Sequence, residues 1–221
     1  MNKLVSWRRH YAGYLFDLDG TLVDTAPDIS VALNTALEHE GYQPVSEDHT
    51  RHWIGYGARV LLEQALDHQN EPHDVVDEML KIFIAHYQEH IADRSTPYPG
   101  VVAGLSALRA RGAKLALVTN KLEHLSVAVL AALDLTRFFD VLVCGDSTKE
   151  PKPAAAPALY ACRQLKLRVD EVLFVGDSET DVICAHAAGC TVVCVPEGYN
   201  HGTAASALGA DGVIETFQDL V

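Results

Sequence analysis

Two regimes of apolar spacing divide the chain. Tyr14-Leu15-Phe16 is a short unbroken apolar run that leads into Asp17. Bounded by glycine on both sides, it predicts a parallel strand buried on both faces. From Asp24 to about Thr96 the spacing turns helical and no strand is expected. Ile29, Leu33, Ala36 and Leu37 share one face of a helix that Gly41 ends. Thr25 and Asp28 read as its T-x-x-D capping box, with Pro27 in the first turn, where a missing N–H does no harm. Val60, Leu61, Ala65 and Leu66 predict a helix after Gly57. Val76, Met79, Leu80, Phe83 and Tyr87 predict another, from Asp74 toward Ile91. Tyr98-Pro99-Gly100 closes this stretch.

Beyond it, strand-length apolar runs alternate with helical patterns. Strands are expected at 114–118, 141–144, 172–175 and 191–195. Helices are expected at 101–111, at about 122–133, after Pro157 through Leu165, and at 179–188. The tail holds a candidate edge strand at 212–214 and a short helix. Such alternation predicts an α/β fold, a doubly wound parallel sheet of Rossmann type with helices on both faces. The helical stretch interrupts this pattern after the first strand. It reads as an inserted small helical cap, residues 23–96, on a core made of residues 1–22 and 97–221.

Composition narrows the partners. The 221 residues carry a formal net charge of −13. That charge argues against nucleic acid and against an anionic membrane surface. A protein this acidic handles an anion only by concentrating positive charge locally, through a metal or a few cationic side chains. No apolar stretch reaches bilayer length. The N-terminal MNKLVSWRRHYA has basic residues but no apolar segment of a secretory leader. A soluble cytoplasmic protein is expected. The five cysteines include no C-x-x-C pair, and Cys144 and Cys194 end apolar runs. They read as buried packing thiols in a reducing compartment.

The candidate chemistry gathers where strands end. Asp17 and Asp19 sit at i and i+2 in FDLDGTLVDT, on the same side of an extended chain. Carboxylates that close repel unless a cation lies between them or one is protonated. A hard divalent ion resolves the conflict; the alternative is a pair of solvated turn residues before Gly20. Thr119 and Asn120 follow the next strand, and Asp177, Ser178 and Asp181 a later one. Lys152 stands between two prolines just before a helix, where the helix dipole disfavours a cation, so an anionic partner is expected. Strand tips of a parallel sheet converge on one edge. Three carboxylates, a hydroxyl, an amide and an ammonium suit phosphoryl transfer. Helix capping by Thr119, and by Ser178 with Asp181, is the plainer alternative.

In this order, FDLDGTLVDT, VTN, the lysine of PKP and GDSETD resemble the motifs of the haloacid dehalogenase superfamily over nearly the whole chain. PKPAAAPAL departs from the family pattern in placing its next proline at Pro157. The helical segment between the first two motifs resembles the class with a small helical cap. RHWIGYGARVLLEQAL, TPYPGV and EGYNHG resemble members acting on a small phosphorylated carboxylic acid.

The resemblance implies roles. Asp17 attacks phosphorus and becomes an aspartyl phosphate. Asp19 acts as general acid and then general base. Gly20 lets backbone N–H groups approach the phosphate. Thr119 donates to a phosphoryl oxygen, Asn120 helps position the substrate, and Lys152 offsets charge. Mg²⁺ is held by the Asp17 carboxylate, the Asp19 carbonyl and Asp177, with Asp181 in support. In the cap, Gly55-Tyr56-Gly57 precedes a helix and offers N–H groups to a carboxylate, assisted by Arg59 or Arg51; it reads equally as an interhelical turn. The partner implied is a small phosphorylated metabolite. A phosphatase for a sugar phosphate or pyrophosphate, and a phosphomutase of the same superfamily, stay open. A dehalogenase has no need of an acid at Asp19. A phosphoacceptor switch is shorter and has no cap.

Overall fold

The strand before Asp17 is β1 (Gly13–Phe16), and every residue in it is buried. The structure, a computed structural model, describes residues 7–221; residues 1–6, the start of the stretch read above for a leader, lie outside the described residues. A two-residue strand β2 (Val23–Asp24) follows β1. Four helices come next: α1 (Ala26–His39), α2 (Glu47–Trp53), α3 (Ala58–Gln69) and α4 (Val76–Glu89). The chain returns through β3 (Thr96–Pro97). The alternating part comprises α5 (Val101–Ala110), β4 (Lys114–Val118), α6 (Glu123–Ala132), β5 (Val141–Val143) and α7 (Ala156–Leu165). It continues with β6 (Val172–Gly176), α8 (Glu179–Ala188), β7 (Thr191–Cys194) and β8 (Gly212–Val213). A single turn of 3₁₀-helix, Phe217–Leu220, stands where a short helix was expected.

The sheet runs β5-β4-β1-β6-β7-β8 with parallel pairing throughout. The doubly wound expectation holds, because successive side chains serve opposite faces. Tyr14, Phe16, Leu115, Leu117 and Val175 pack with Leu105 and Leu108 of α5 and Leu130 of α6. Leu15, Ala116, Val118 and Phe174 pack with Ala158 and Ala161 of α7 and Ala185 of α8. The inserted helices have a core of their own, with Ile29, Leu33, Leu37, Leu62, Leu66, Met79 and Phe83. Each such side chain contributes about 1.5–3 kcal/mol when buried, enough to hold the insert together. Leu125 and Tyr199 from the sheet portion join that cluster and seat the insert over the strand tips.

Two expectations are corrected. The 24–96 stretch is not wholly helical: β2 and β3 pair antiparallel, Val23 with Pro97 and Asp24 with Thr96, forming a ribbon at the root of the insert. The Thr25–Asp28 capping box does not form. Thr25 makes no side-chain cap bond and donates instead to Asp19 Oδ1 at 2.7 Å. Asp28 accepts from Ser95 N at 2.7 Å, Ser95 Oγ at 2.5 Å and Arg94 N at 3.0 Å. It ties the start of α1 to the returning chain. All five cysteines are free and buried. Among the described residues no helix is long and apolar enough to cross a membrane.

Candidate active site

The central strand delivers Asp17 to the point where the sheet's connections diverge. Phe16 lies beside Leu117 of β4 on one side and Val175 of β6 on the other. The tips of those two neighbours carry Thr119 and Asp177. This is the switch point of a doubly wound sheet, where ligands bind. Gly20 turns the chain back with φ +83°, a conformation costly for a residue with a Cβ. A Cβ there would also collide with Asp177 Oδ2 and lie 2.9 Å from the Tyr199 ring.

The carboxylates have different surroundings. Asp177 accepts from Thr21 Oγ1 at 2.7 Å and from Tyr199 N at 2.6 Å. Asp181 accepts from Lys152 Nζ at 2.6 Å, and its Oδ2 takes Ser178 Oγ at 2.8 Å, Ser178 N at 3.1 Å and Asp177 N at 3.2 Å. The capping box of Ser178 and Asp181 is therefore real and coexists with the ion pair. Lys152 also lies 2.9 Å from Asp17 Oδ1, close enough for an ion pair. That oxygen is buried and has no aligned hydrogen-bond donor. The anionic partner expected for Lys152 is thus supplied by the protein itself.

Burial dominates the titration here. It pushes Asp17 up to about 7, against Lys152 and with help from Asp181 and Asp19. Asp177 is driven well above the carboxylate range by burial, then by Asp181 and Asp17. For Lys152, burial works against the charge, but Asp17 and Asp181 outweigh it and raise the pKa.

These groups fit a divalent metal. Carboxylate oxygens of Asp17, Asp177 and Asp181 lie within 4.8 Å of one another, all buried. Asp181 is already bonded through both oxygens, whereas Asp17 has only the Lys152 ammonium beside Oδ1 and no aligned hydrogen bond there. Buried oxygens short of positive charge are what a hard cation takes.

A cavity of about 270 Å³ opens above Asp17, between the strand tips and the insert. Its floor includes Asp19, Thr119, Asn120 and Lys121, and its roof Ile29, Leu80 and Phe83. Gly55, Gly57 and Arg59 line it as well. Gly57 is the N-cap of α3, and both glycines have positive φ, +135° and +93°. Arg59 is half exposed and its guanidinium is engaged by Asp77 of α4. Arg51 lies elsewhere, paired with Asp24 at 2.9 Å and Glu47 at 2.8 Å. The Asn120 amide is spent on Gly55 O and Lys152 O, both at 2.9 Å, while its oxygen accepts from Lys152 N at 3.0 Å. Asn120 therefore fastens the Lys152 loop and the insert to β4.

Residues 14–195 match the family model for haloacid dehalogenase-like hydrolases. The chain belongs to that family. It is 39% identical over 217 residues to a phosphoglycolate phosphatase of Chromobacterium violaceum, covering 96% of each chain. It is 41% identical over 207 residues to one of Caulobacter vibrioides, covering 93% of this chain and 87% of that one. The solved structure of a predicted phosphoglycolate phosphatase from Haemophilus somnus 129pt superposes with a TM-score of 0.90 at 35% identity, over 95% of this chain and 96% of that one. Such matches over nearly the full length make this hydrolase a phosphatase, acting on phosphoric monoesters.

Several residues of the hydrolase site escaped the sequence reading. Lys121 donates to both oxygens of Asp19, at 2.9 and 3.0 Å. Burial works against its charge, but Asp19 and then Tyr87 outweigh it and raise its pKa. Its signal was a lysine at a strand tip before a helix, without the flanking prolines that drew attention to Lys152. Tyr199, inside EGYNHG, holds Asp177 through its N–H and reaches Asp24 Oδ1 at 2.5 Å through its hydroxyl. One residue thus spans the carboxylate cluster and the β2–β3 ribbon. Thr21, in the turn after Gly20, had no signal beyond its neighbourhood.

Proposed function

We propose that this phosphatase hydrolyses 2-phosphoglycolate to glycolate and phosphate, with Mg²⁺, through an aspartyl phosphate on Asp17. The observation that carries the reading is Asp17 itself. It is a buried carboxylate at the sheet's switch point, with Lys152 on one flank, Asp177 on the other and a cavity above. The resemblance to phosphoglycolate phosphatases supplies the substrate.

In the first half-reaction an Asp17 oxygen forms a bond to phosphorus as the ester P–O bond breaks. Asp19 gives its proton to the departing alkoxide. In the second half, water attacks phosphorus, Asp19 takes the water's proton, and Asp17 is released as a carboxylate. Thr119 donates to a phosphoryl oxygen, and Lys152 offsets charge on Asp17 and the phosphate. Asp17, the Asp19 carbonyl and Asp177 would hold Mg²⁺, with Asp181 behind them; when bound, the ion would neutralise charge and orient the phosphate. The substrate carboxylate lies against the N–H groups that open α3, beside Gly55, Gly57 and Arg59.

In this reading residues 23–96 are a cap that rocks on the β2–β3 ribbon, over a core of residues 1–22 and 97–221. The free cysteines support a cytoplasmic location. The apolar roof favours one second reading, a phosphate ester with a larger leaving group than glycolate.

A panel of phosphate monoesters, assayed with Mg²⁺ and with chelator, tests both. Greatest kcat/KM on 2-phosphoglycolate, lost in chelator, is the expected outcome. A larger ester in first place supports the second reading. Phosphate release that needs a bisphosphate activator would turn the assignment toward a mutase. Asp17→Asn should abolish turnover. Asp19→Asn should slow both half-reactions while Mg²⁺ still binds.

A further inference from the structure

Two consecutive residues at the tip of β4 reach the inserted helices. Asn120 donates to Gly55 O at 2.9 Å. Lys121 turns into the core–cap junction, where its side chain is 6% exposed. Its ammonium donates to Asp19 Oδ1 and Oδ2 and stands 4.7 Å from the ring centroid of Tyr87, on α4. Tyr87 is 1% exposed, its hydroxyl makes no aligned hydrogen bond, and its ring lies under the ammonium. The Lys121 backbone is fixed as well: its carbonyl accepts from Gly145 N at 2.9 Å, and its N–H is directed at Thr119 Oγ1 at 3.3 Å.

We propose that Lys121 is a positioning residue for Asp19, and that Tyr87 makes this positioning depend on docking of the cap. The inference rests on the phosphatase reading above. Asp19 must meet the same small space twice in each turnover, first at the ester oxygen and then at the attacking water. An Asp side chain has two free torsions. The ammonium bonds both carboxyl oxygens while Thr25 Oγ1 donates to one of them, so the group is aimed before the substrate arrives. The aromatic face of Tyr87 also rests against the ammonium. If the cap lifts, that face leaves, and the ammonium is free to follow solvent instead of Asp19. Lys121 keeps its own protons throughout; the proton that reaches the alkoxide comes from Asp19, and the proton of the water returns to it.

The test compares two esters in Lys121→Met. 2-Phosphoglycolate has an alkoxide leaving group that needs a proton, whereas p-nitrophenyl phosphate has one that departs without it. The variant should lose about 10- to 100-fold in kcat on 2-phosphoglycolate, a part of what a whole acid–base group supplies. With p-nitrophenyl phosphate it should release one equivalent of p-nitrophenolate at the parent's rate and then slow, because hydrolysis of phospho-Asp17 still needs Asp19. Lys121→Arg should recover most of the loss. Tyr87→Leu leaves the ion pair in place and keeps the test open should Lys121→Met not fold; it should show the same split at about 3- to 10-fold, with Tyr87→Phe closer to the parent. Equal losses on both esters without a burst, or no loss, would overturn the role of Lys121 and leave the phosphatase reading standing. A parent protein that turns over neither ester overturns both.

Discussion

Lys152→Met removes the ammonium from the acidic cluster without opening a cavity. The Lys152 side chain is 1% exposed, and its partners Asp181 and Asp17 are 0% and 9% exposed. Methionine can fill the same space beside Phe174, whose ring the ammonium approaches at 5.9 Å. At an effective dielectric of about 20, each contact at these distances amounts to roughly 6 kcal/mol of attraction. The full amount is not lost, because stranded carboxylates escape by taking protons. Breaking a buried pair from one side costs about 3–5 kcal/mol, against a total stability of about 5–15 kcal/mol for an ordinary domain. The sign of the pH dependence follows. Removing the ammonium, which now holds the Asp17 pKa down against burial, raises that folded-state pKa further above its unfolded value. The folded variant then binds more protons than the unfolded chain, and its stability falls as pH rises. Urea denaturation in chelator should therefore show a deficit of about 3–5 kcal/mol at pH 8 and a smaller one at pH 5.5. Turnover with Mg²⁺ should fall about 10²–10³-fold, the loss expected when a preorganised charge partner is removed. A variant within about 0.5 kcal/mol of the parent at pH 8, or a deficit larger at pH 5.5, would refute the assignment of Lys152 as the cluster's counter-charge.

Burial holds Asp17 at about 7 and Asp177 well above the carboxylate range, so Mg²⁺ must displace protons on binding. Its affinity, read by calorimetry, should rise by up to about tenfold per pH unit for each proton released as pH climbs toward 7; an affinity flat across that window would disprove the displacement. Without metal, the same raised pKa values make stability decline as pH climbs from the carboxylate range through 7, and Mg²⁺ should reverse the decline in a thermal melt. Gly20→Ala costs about 1–2 kcal/mol for its positive φ alone, and its methyl displaces Asp177; Mg²⁺ affinity should drop with it, and an unchanged affinity counts against Asp177 as a ligand. Asp28→Ala strands the donors of Arg94 and Ser95 and should lower stability by about 3 kcal/mol, with Mg²⁺ affinity untouched; equal stability to the parent would show that this tie is not needed to root the cap.

Much of the sheet was legible because a buried parallel strand is written as an unbroken apolar run with a polar tip. β1, β4, β6 and β7 all have that form. Their order in the sheet was not legible, since it is set by pairings between distant segments. The two-residue strands of the ribbon are too short to carry any period. α2 was missed because EDHTRHW buries only Thr50 and shows no apolar stripe. The false capping box has a different cause. T-x-x-D looks the same whether its side chains turn back to the helix or travel outward, and here Asp28 travels to Ser95, 67 positions away. Lys121 was passed over for a similar reason. Its partner Asp19 is 102 positions distant, and nothing like the prolines flanking Lys152 marks it out locally.

The charges at the strand tips constrain the chemistry further than any one residue does. Asp17, Asp19, Asp177 and Asp181 bring four carboxylates, and Lys121 and Lys152 two ammonium groups, so full ionisation leaves two negative charges in a buried site. A phosphate ester adds more of the same sign. Protons can restore the balance, and the raised pKa values of Asp177 and Asp17 show which carboxylates would take them. But a protonated Asp17 is no nucleophile, since its attacking lone pair is then withheld. A third lysine would bring one charge where two are required. A divalent cation held by these carboxylates would supply both charges at once and would leave Asp17 ionised for the attack proposed above. On the proposed mechanism, a divalent metal would be needed to keep one carboxylate charged among its neighbours, before any contact with substrate is considered.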